Sequence, residues 1–136
     1  MQPLTPIVAA TDFSAAAGQA VRRGALIAQR LGAEMHLLHV VHPLELYPGP
    51  DPAADFGLNH EQALQAAGKN RLDTLAASLR KDFAIPVVAA TRIGRAHTEI
   101  ADYAAAKAAG LVVAGARGEN TLLDLLIGST ASRLLR

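Results

Sequence analysis

The chain has 136 residues, 51% of them hydrophobic and only 4% aromatic, and its 13 basic and 12 acidic residues leave a net charge of +1. That length suits one domain with a core of its own, and the balanced charge leaves no electrostatic footprint for nucleic acid. Cysteine is absent, which excludes disulfides and thiolate metal sites and fits a reducing cytoplasm; no apolar stretch approaches a signal-peptide core or a membrane span.

Ile7-Val8-Ala9-Ala10 is an apolar run that stops at Thr11-Asp12-Phe13-Ser14, so it reads as a buried strand ending in a polar turn. Ser14 is a natural N-cap. Over 15–31 the residues Val21, Ala25 and Ala28 share one helical face, Arg22, Arg23 and Arg30 form a solvated one, and Gly32 suits the C-cap. Residues 34–41 read as a second buried strand. Residues 43–59 hold Pro43, Pro48, Gly49, Pro50, Pro52 and Gly57 and read as a loop or insertion. The spacing of Leu64, Leu72, Leu75 and Leu79 predicts an amphipathic helix over 61–83. A third strand follows over 87–91, a helix over 98–109 closed by Gly110, and a fourth strand over 111–114. A last helix is predicted to open at Gly128.

Alternating strands and helices with continuously apolar strands mean an α/β fold, a doubly wound, Rossmann-like parallel sheet covered on both faces. Residues 1–136 are expected to form a single domain. No strand is expected after the last helix, so the sheet is read as four-stranded.

Ligands of such sheets bind beyond the carboxyl ends of the strands, where strand order reverses. The candidates there are Thr11, Asp12 and Ser14, then 40–43, then Arg92 and Gly94, then Gly115 to Gly118. The last group is the informative one. Gly115 and Gly118 flank Ala116 and Arg117 at a strand end, and Gly128-Ser129-Thr130 follows after nine intervening residues. Glycines let a phosphate approach the backbone N–H groups, a helix N-terminus adds free N–H groups and partial positive charge, and Ser129, Thr130 and Arg117 add donors. This is an anion cradle fit for a di- or triphosphate.

The spacing Gly115-x2-Gly118-x9-Gly128-Ser129 resembles the ATP-binding branch of the universal stress protein family. The opening strand ending in Asp12 and Ser14, the run Leu38-His39-Val40-Val41, and Gly94 followed by Ile100 resemble the family as well, so the likeness spans nearly the whole chain. It implies an adenine nucleotide alpha hydrolase-like sheet in strand order 3-2-1-4. Thr11 and Asp12 would then lie at the adenine end of the nucleotide, with the Val40 backbone bonding the base. Gly115, Arg117 and Gly118 would line ribose and phosphates, and Gly128, Ser129 and Thr130 would hold the phosphates. The implied ligand is ATP, with or without Mg2+; ADP, AMP or a cyclic nucleotide fit the same residues. Two positions depart from the family: Ala116-Arg117 stands where a polar residue or His is common, and Gly110 replaces a usual Asp. The family's fifth strand, which in many members pairs across a dimer interface, is not expected here. The chain is therefore read as cut short, as the first half of a tandem protein, or as a homodimer that uses another surface.

Three functions compete. The first is a nucleotide-dependent regulatory module of the stress-response type. The second is a slow ATPase or other adenine-nucleotide enzyme. Against it, the phosphate-binding G-x4-G-K-[ST] loop is absent and Lys69, Lys81 and Lys107 fall on predicted helices. The third is a dimerisation module that uses no nucleotide. His36, His39 and His42 invite a metal reading, but alternation along a strand turns them to different faces.

Overall fold

The computed structural model describes residues 5–42, 57–115 and 125–128; for 57–64 and 125–128 only the backbone is described. The elements in chain order are β1 (Ile7–Ala10), α1 (Ala15–Leu31), β2 (Met35–Val41), α2 (Gly57–Phe83), β3 (Val87–Ile93), α3 (Ala96–Ala106), β4 (Leu111–Ala114) and β5 (Leu125–Gly128).

The first unit forms for the reasons its sequence states. All four residues of β1 are buried, as expected of a strand covered on both faces. The Ser14 hydroxyl accepts the Ala17 N–H at 3.1 Å and caps α1. At the other end Gly32 turns left-handed, and the Ala33 N–H closes on the Ala28 carbonyl.

The sheet order is β3-β2-β1-β4-β5, and β1 pairs in parallel with both β2 and β4. The parallel order 3-2-1-4 is thus present. The four-strand reading needs one correction. Leu125–Gly128 forms a fifth strand, antiparallel to β4, with Gly128 opposite Leu111 and Leu125 opposite Ala114. The apolar run Leu125-Leu126-Ile127 supplies backbone partners for the edge of β4 that would otherwise be open. Gly128 is accordingly the last residue of a strand and not a helix opening; the predicted last helix, from Ser129 onward, lies outside the described residues.

Side chains of alternate strand residues enter two different cores. Ile7, Ala9, Met35, Leu37, Val87 and Val113 meet Val21, Ala25 and Ala28 of α1 and Leu72, Ala76 and Leu79 of α2. On the other face Val8 and Leu38 meet Tyr103 and Ala109, with Val40, Ala90, Ile100 and Val112 packed around them. α3 ends earlier than its apolar spacing implies. Ala108 takes a left-handed conformation (φ 52°), the Ala109 N–H bonds the Ala104 carbonyl, and the Gly110 N–H bonds the Pro6 carbonyl. That turn puts Ala109 into the core.

The outer edge of β3 is partly closed. Gly94 N–H bonds the Val41 carbonyl and Met35 N–H bonds the Pro86 carbonyl, so Val87 and Thr91 turn their carbonyls away from β2. Arg80 donates to the Val87 carbonyl through Nε (3.2 Å) and Nη2 (2.6 Å), and Arg92 donates to the Thr91 carbonyl at 2.9 Å.

Candidate functional site

The carboxyl end of β1 is a tight polar turn. Thr11 N–H continues the ladder to the Leu38 carbonyl at 2.9 Å. Thr11 Oγ1 then accepts the Phe13 N–H at 2.9 Å, and Asp12 Oδ1 accepts the Ser14 N–H at 2.9 Å. These bonds hold Phe13 in a left-handed conformation (φ 65°), which costs a non-glycine residue about 1–2 kcal/mol. Asp12 therefore has a structural task in the turn, and it also lines an adjoining cleft.

That cleft has a volume of about 320 Å3 and lies where β1 and β4 end, with β2 and the first turn of α3 beside it. Its walls include Thr11, Asp12, Val40, His42, Gly94 and Gly115, six of the strand-end candidates singled out from the sequence. The volume is at the lower end of the range for ligand clefts, about 300–1,000 Å3.

Val40 offers the most specific chemistry. In β2 the even-numbered residues face β1, as the Thr11–Leu38 bond shows, and the β1–β2 ladder runs only to Ala10 opposite Leu38. The peptide N–H and C=O of Val40 thus lie on the β1 side, past the last ladder bond. The Thr11 carbonyl, next in line, accepts His39 Nδ1–H at 3.0 Å. Val40 presents one donor and one acceptor, side by side, to the cleft.

Gly115 has a reason that needs no ligand. A Cβ there would come within 2.6 Å of Ala17 N and Cα, which are backbone atoms of α1. Only glycine lets the end of β4 approach the first turn of α1 so closely. Gly94 is similar: its φ is +155°, and a side chain would collide with Glu99.

The remaining predicted residues are not gathered there. Gly128 pairs with Leu111 at the opening end of β4, about 10 Å along the strand from Ala114 at the usual rise per residue. Arg117, Gly118, Ser129 and Thr130 lie outside the described residues. Sequence reading missed Ala17, Ala96 and Ile100, which line the cleft from two helices, because nothing in their residue types marks them. His42 also lines it; the sequence placed it among the strand-end candidates 40–43 as well as in the metal reading.

The other two histidines turn to opposite faces. His39 packs its ring on Phe13, centroids 4.6 Å apart. His36 is buried on the α3 face. There Nε2–H donates to Glu34 Oε1 at 2.8 Å, and Nδ1 accepts the Tyr103 hydroxyl at 2.7 Å. Burial raises the Tyr103 pKa above its ordinary value near 10; Arg92 opposes the shift and Glu34 adds to it.

With fold and cleft in place, comparison with known proteins decides the family. The model of the universal stress protein family matches residues 3–136. The chain belongs to the universal stress protein family. Among solved structures, the universal stress protein UspA from Lactobacillus plantarum is 27% identical, with a TM-score of 0.68 over 99% of this chain and 92% of that one. A universal stress protein from Burkholderia pseudomallei is 22% identical, with a TM-score of 0.67 over 97% and 88%. A universal stress protein solved in complex with cAMP is 20% identical, with a TM-score of 0.65 over 98% and 83%. No curated protein sequence matches. The last two structures share the fold of this universal stress protein domain.

Proposed function

We propose that this domain binds an adenine nucleotide, ATP foremost, at the carboxyl edge of the sheet, and that binding regulates its partners rather than driving catalysis. The observation that carries the reading is the open peptide edge of Val40. Its C=O and N–H match the N6 amino group and N1 of adenine, a donor beside an acceptor. Asp12 takes the adenine end from the opposite wall, and Gly115 lines the path toward the ribose. Membership of the family and the cAMP-bound relative support the ligand class.

The phosphate half of the proposal rests on the spacing of Gly115, Arg117, Gly118, Gly128, Ser129 and Thr130 and on the family likeness. With Gly128 opposite Leu111, a triphosphate beside Gly115 requires that pairing to be given up. Mg2+ would be carried by the phosphates. The regulatory role in a stress response, the cytoplasmic setting and association with a second copy or tandem domain belong to the same proposal. Slow ATP hydrolysis is the alternative reading.

The test is direct. The purified protein is denatured and any released nucleotide identified by chromatography, and thermal shifts are measured with ATP, ADP, AMP and cAMP. An adenine nucleotide in the supernatant or a shift with ATP is expected, lost in Gly118→Val. Absence of both in the parent protein would sink the proposal. Steady turnover above about one per second would instead make it an enzyme.

A further inference from the structure

A second cleft, about 600 Å3 in volume, opens on the other side of the β1 turn, between the first turns of α1 and the middle of α2. Three features mark it as more than a groove between helices. Its α2 wall carries the exposed Asn70, Arg71, Thr74 and Ser78 around the half-buried Leu75, apart from the core face of Leu72, Ala76 and Leu79. Its α1 wall is empty at Gly18, where an added Cβ would meet nothing within 4 Å. And Arg71 is held in place: its Cζ lies 4.2 Å from the centroid of Phe13, the residue kept left-handed by the Thr11 hydroxyl and in tilted ring contact with His39.

A stacked guanidinium keeps its N–H fork free at the rim of the plane. Among the described residues no carboxylate takes that fork. Asp82 pairs with Arg22 at 3.5 Å and accepts the Ser78 hydroxyl, and Asp12 lines the other cleft. The Thr74 hydroxyl donates to the Asn70 carbonyl. Thr74 and Ser78 have thus used their protons, and they offer lone pairs to hydroxyl groups of an occupant.

We propose that this cleft is a second ligand site for a small phosphorylated polyol of the sugar-phosphate class. Arg71 binds the phosphoryl group through its preorganised fork, and Asn70, Thr74 and Ser78 receive the hydroxyls. The two clefts share Thr11 and differ in charge, with a carboxylate facing one and a guanidinium facing the other. The proposal stands apart from nucleotide binding at the carboxyl edge.

The test is an NMR or thermal-shift titration of the full chain with ribose 5-phosphate, and with inorganic phosphate as a second arm. Saturable binding of ribose 5-phosphate in the millimolar range or tighter is expected, with inorganic phosphate weaker. Arg71→Gln should raise the apparent Kd about tenfold or more. Gly18→Leu, which favours helix and puts a side chain into space that is open at its Cβ, should block it as well. Lys107→Gln, which removes a cation from the α3 face of the sheet, should leave it unchanged. No binding to the parent protein, equal binding of both probes, or full binding by Arg71→Gln and Gly18→Leu overturns the assignment.

Discussion

The two faces of the sheet are built on different chemistry. The α1–α2 face is almost purely aliphatic and so closely packed that a Cβ on Gly24 would lie 3.2 Å from the Met35 methyl carbon. The α3 face has fewer buried aliphatic groups and carries the Glu34–His36–Tyr103 chain of hydrogen bonds. The strands pass through both environments at every second residue, so neighbouring positions answer to different rules. On one face shape decides what is tolerated; on the other, so does the pairing of polar groups.

Adjacent residues of β2 test this contrast most strongly. Leu37 and Leu38 are both fully buried, one in each core. Leu37→Ala is expected to cost about 3–5 kcal/mol and Leu38→Ala about 2–3 kcal/mol, read from urea unfolding. Equal costs would mean that the faces are packed alike.

Next comes Gly115→Ala, expected to destabilise the ligand-free protein by about 1–3 kcal/mol, since the added carbon strikes α1 backbone that cannot yield. A neutral result would return Gly115 to a purely ligand-directed role.

Tyr103→Phe probes the polar face. It leaves His36 Nδ1 without its donor and should cost about 1–3 kcal/mol. Because the folded-state pKa of Tyr103 is raised, its contribution is complete below pH 10 and is lost as pH climbs through the folded value. The parent protein should lose stability above about pH 10 more steeply than the Phe variant. Superimposable alkaline limbs would place the tyrosine in an ordinary solvated environment.

The smallest effect is expected at Ser14→Ala, about 1 kcal/mol, measured by thermal melting, because one capped N–H reopens to water.

Much of this was legible in the residues. Ile7 to Gly32 declares a strand, a turn, a cap, a helix and a stop, each by local chemistry, and the structure follows it. Local chemistry fails where tertiary contacts decide. Ala108 turns left-handed to seat Ala109, which nothing about an alanine announces. α2 begins at Gly57, inside a stretch whose composition reads as loop. β5 forms because β4 offers an edge, a fact no window of sequence contains. The site divides in the same way. Strand-end residues Thr11, Asp12, Val40 and Gly115 follow from topology once alternation is recognised. The Phe13–Arg71 stack joins residues far apart in the chain, and neither belongs to a pattern.

The arginines on the edge of β3 also set a limit on how copies of this domain can join. With Arg80 and Arg92 occupying the outward carbonyls of Val87 and Thr91, that side of the sheet is a poor template for another strand. Two of its outward acceptors already have donors, so a strand arriving there finds fewer groups to bond.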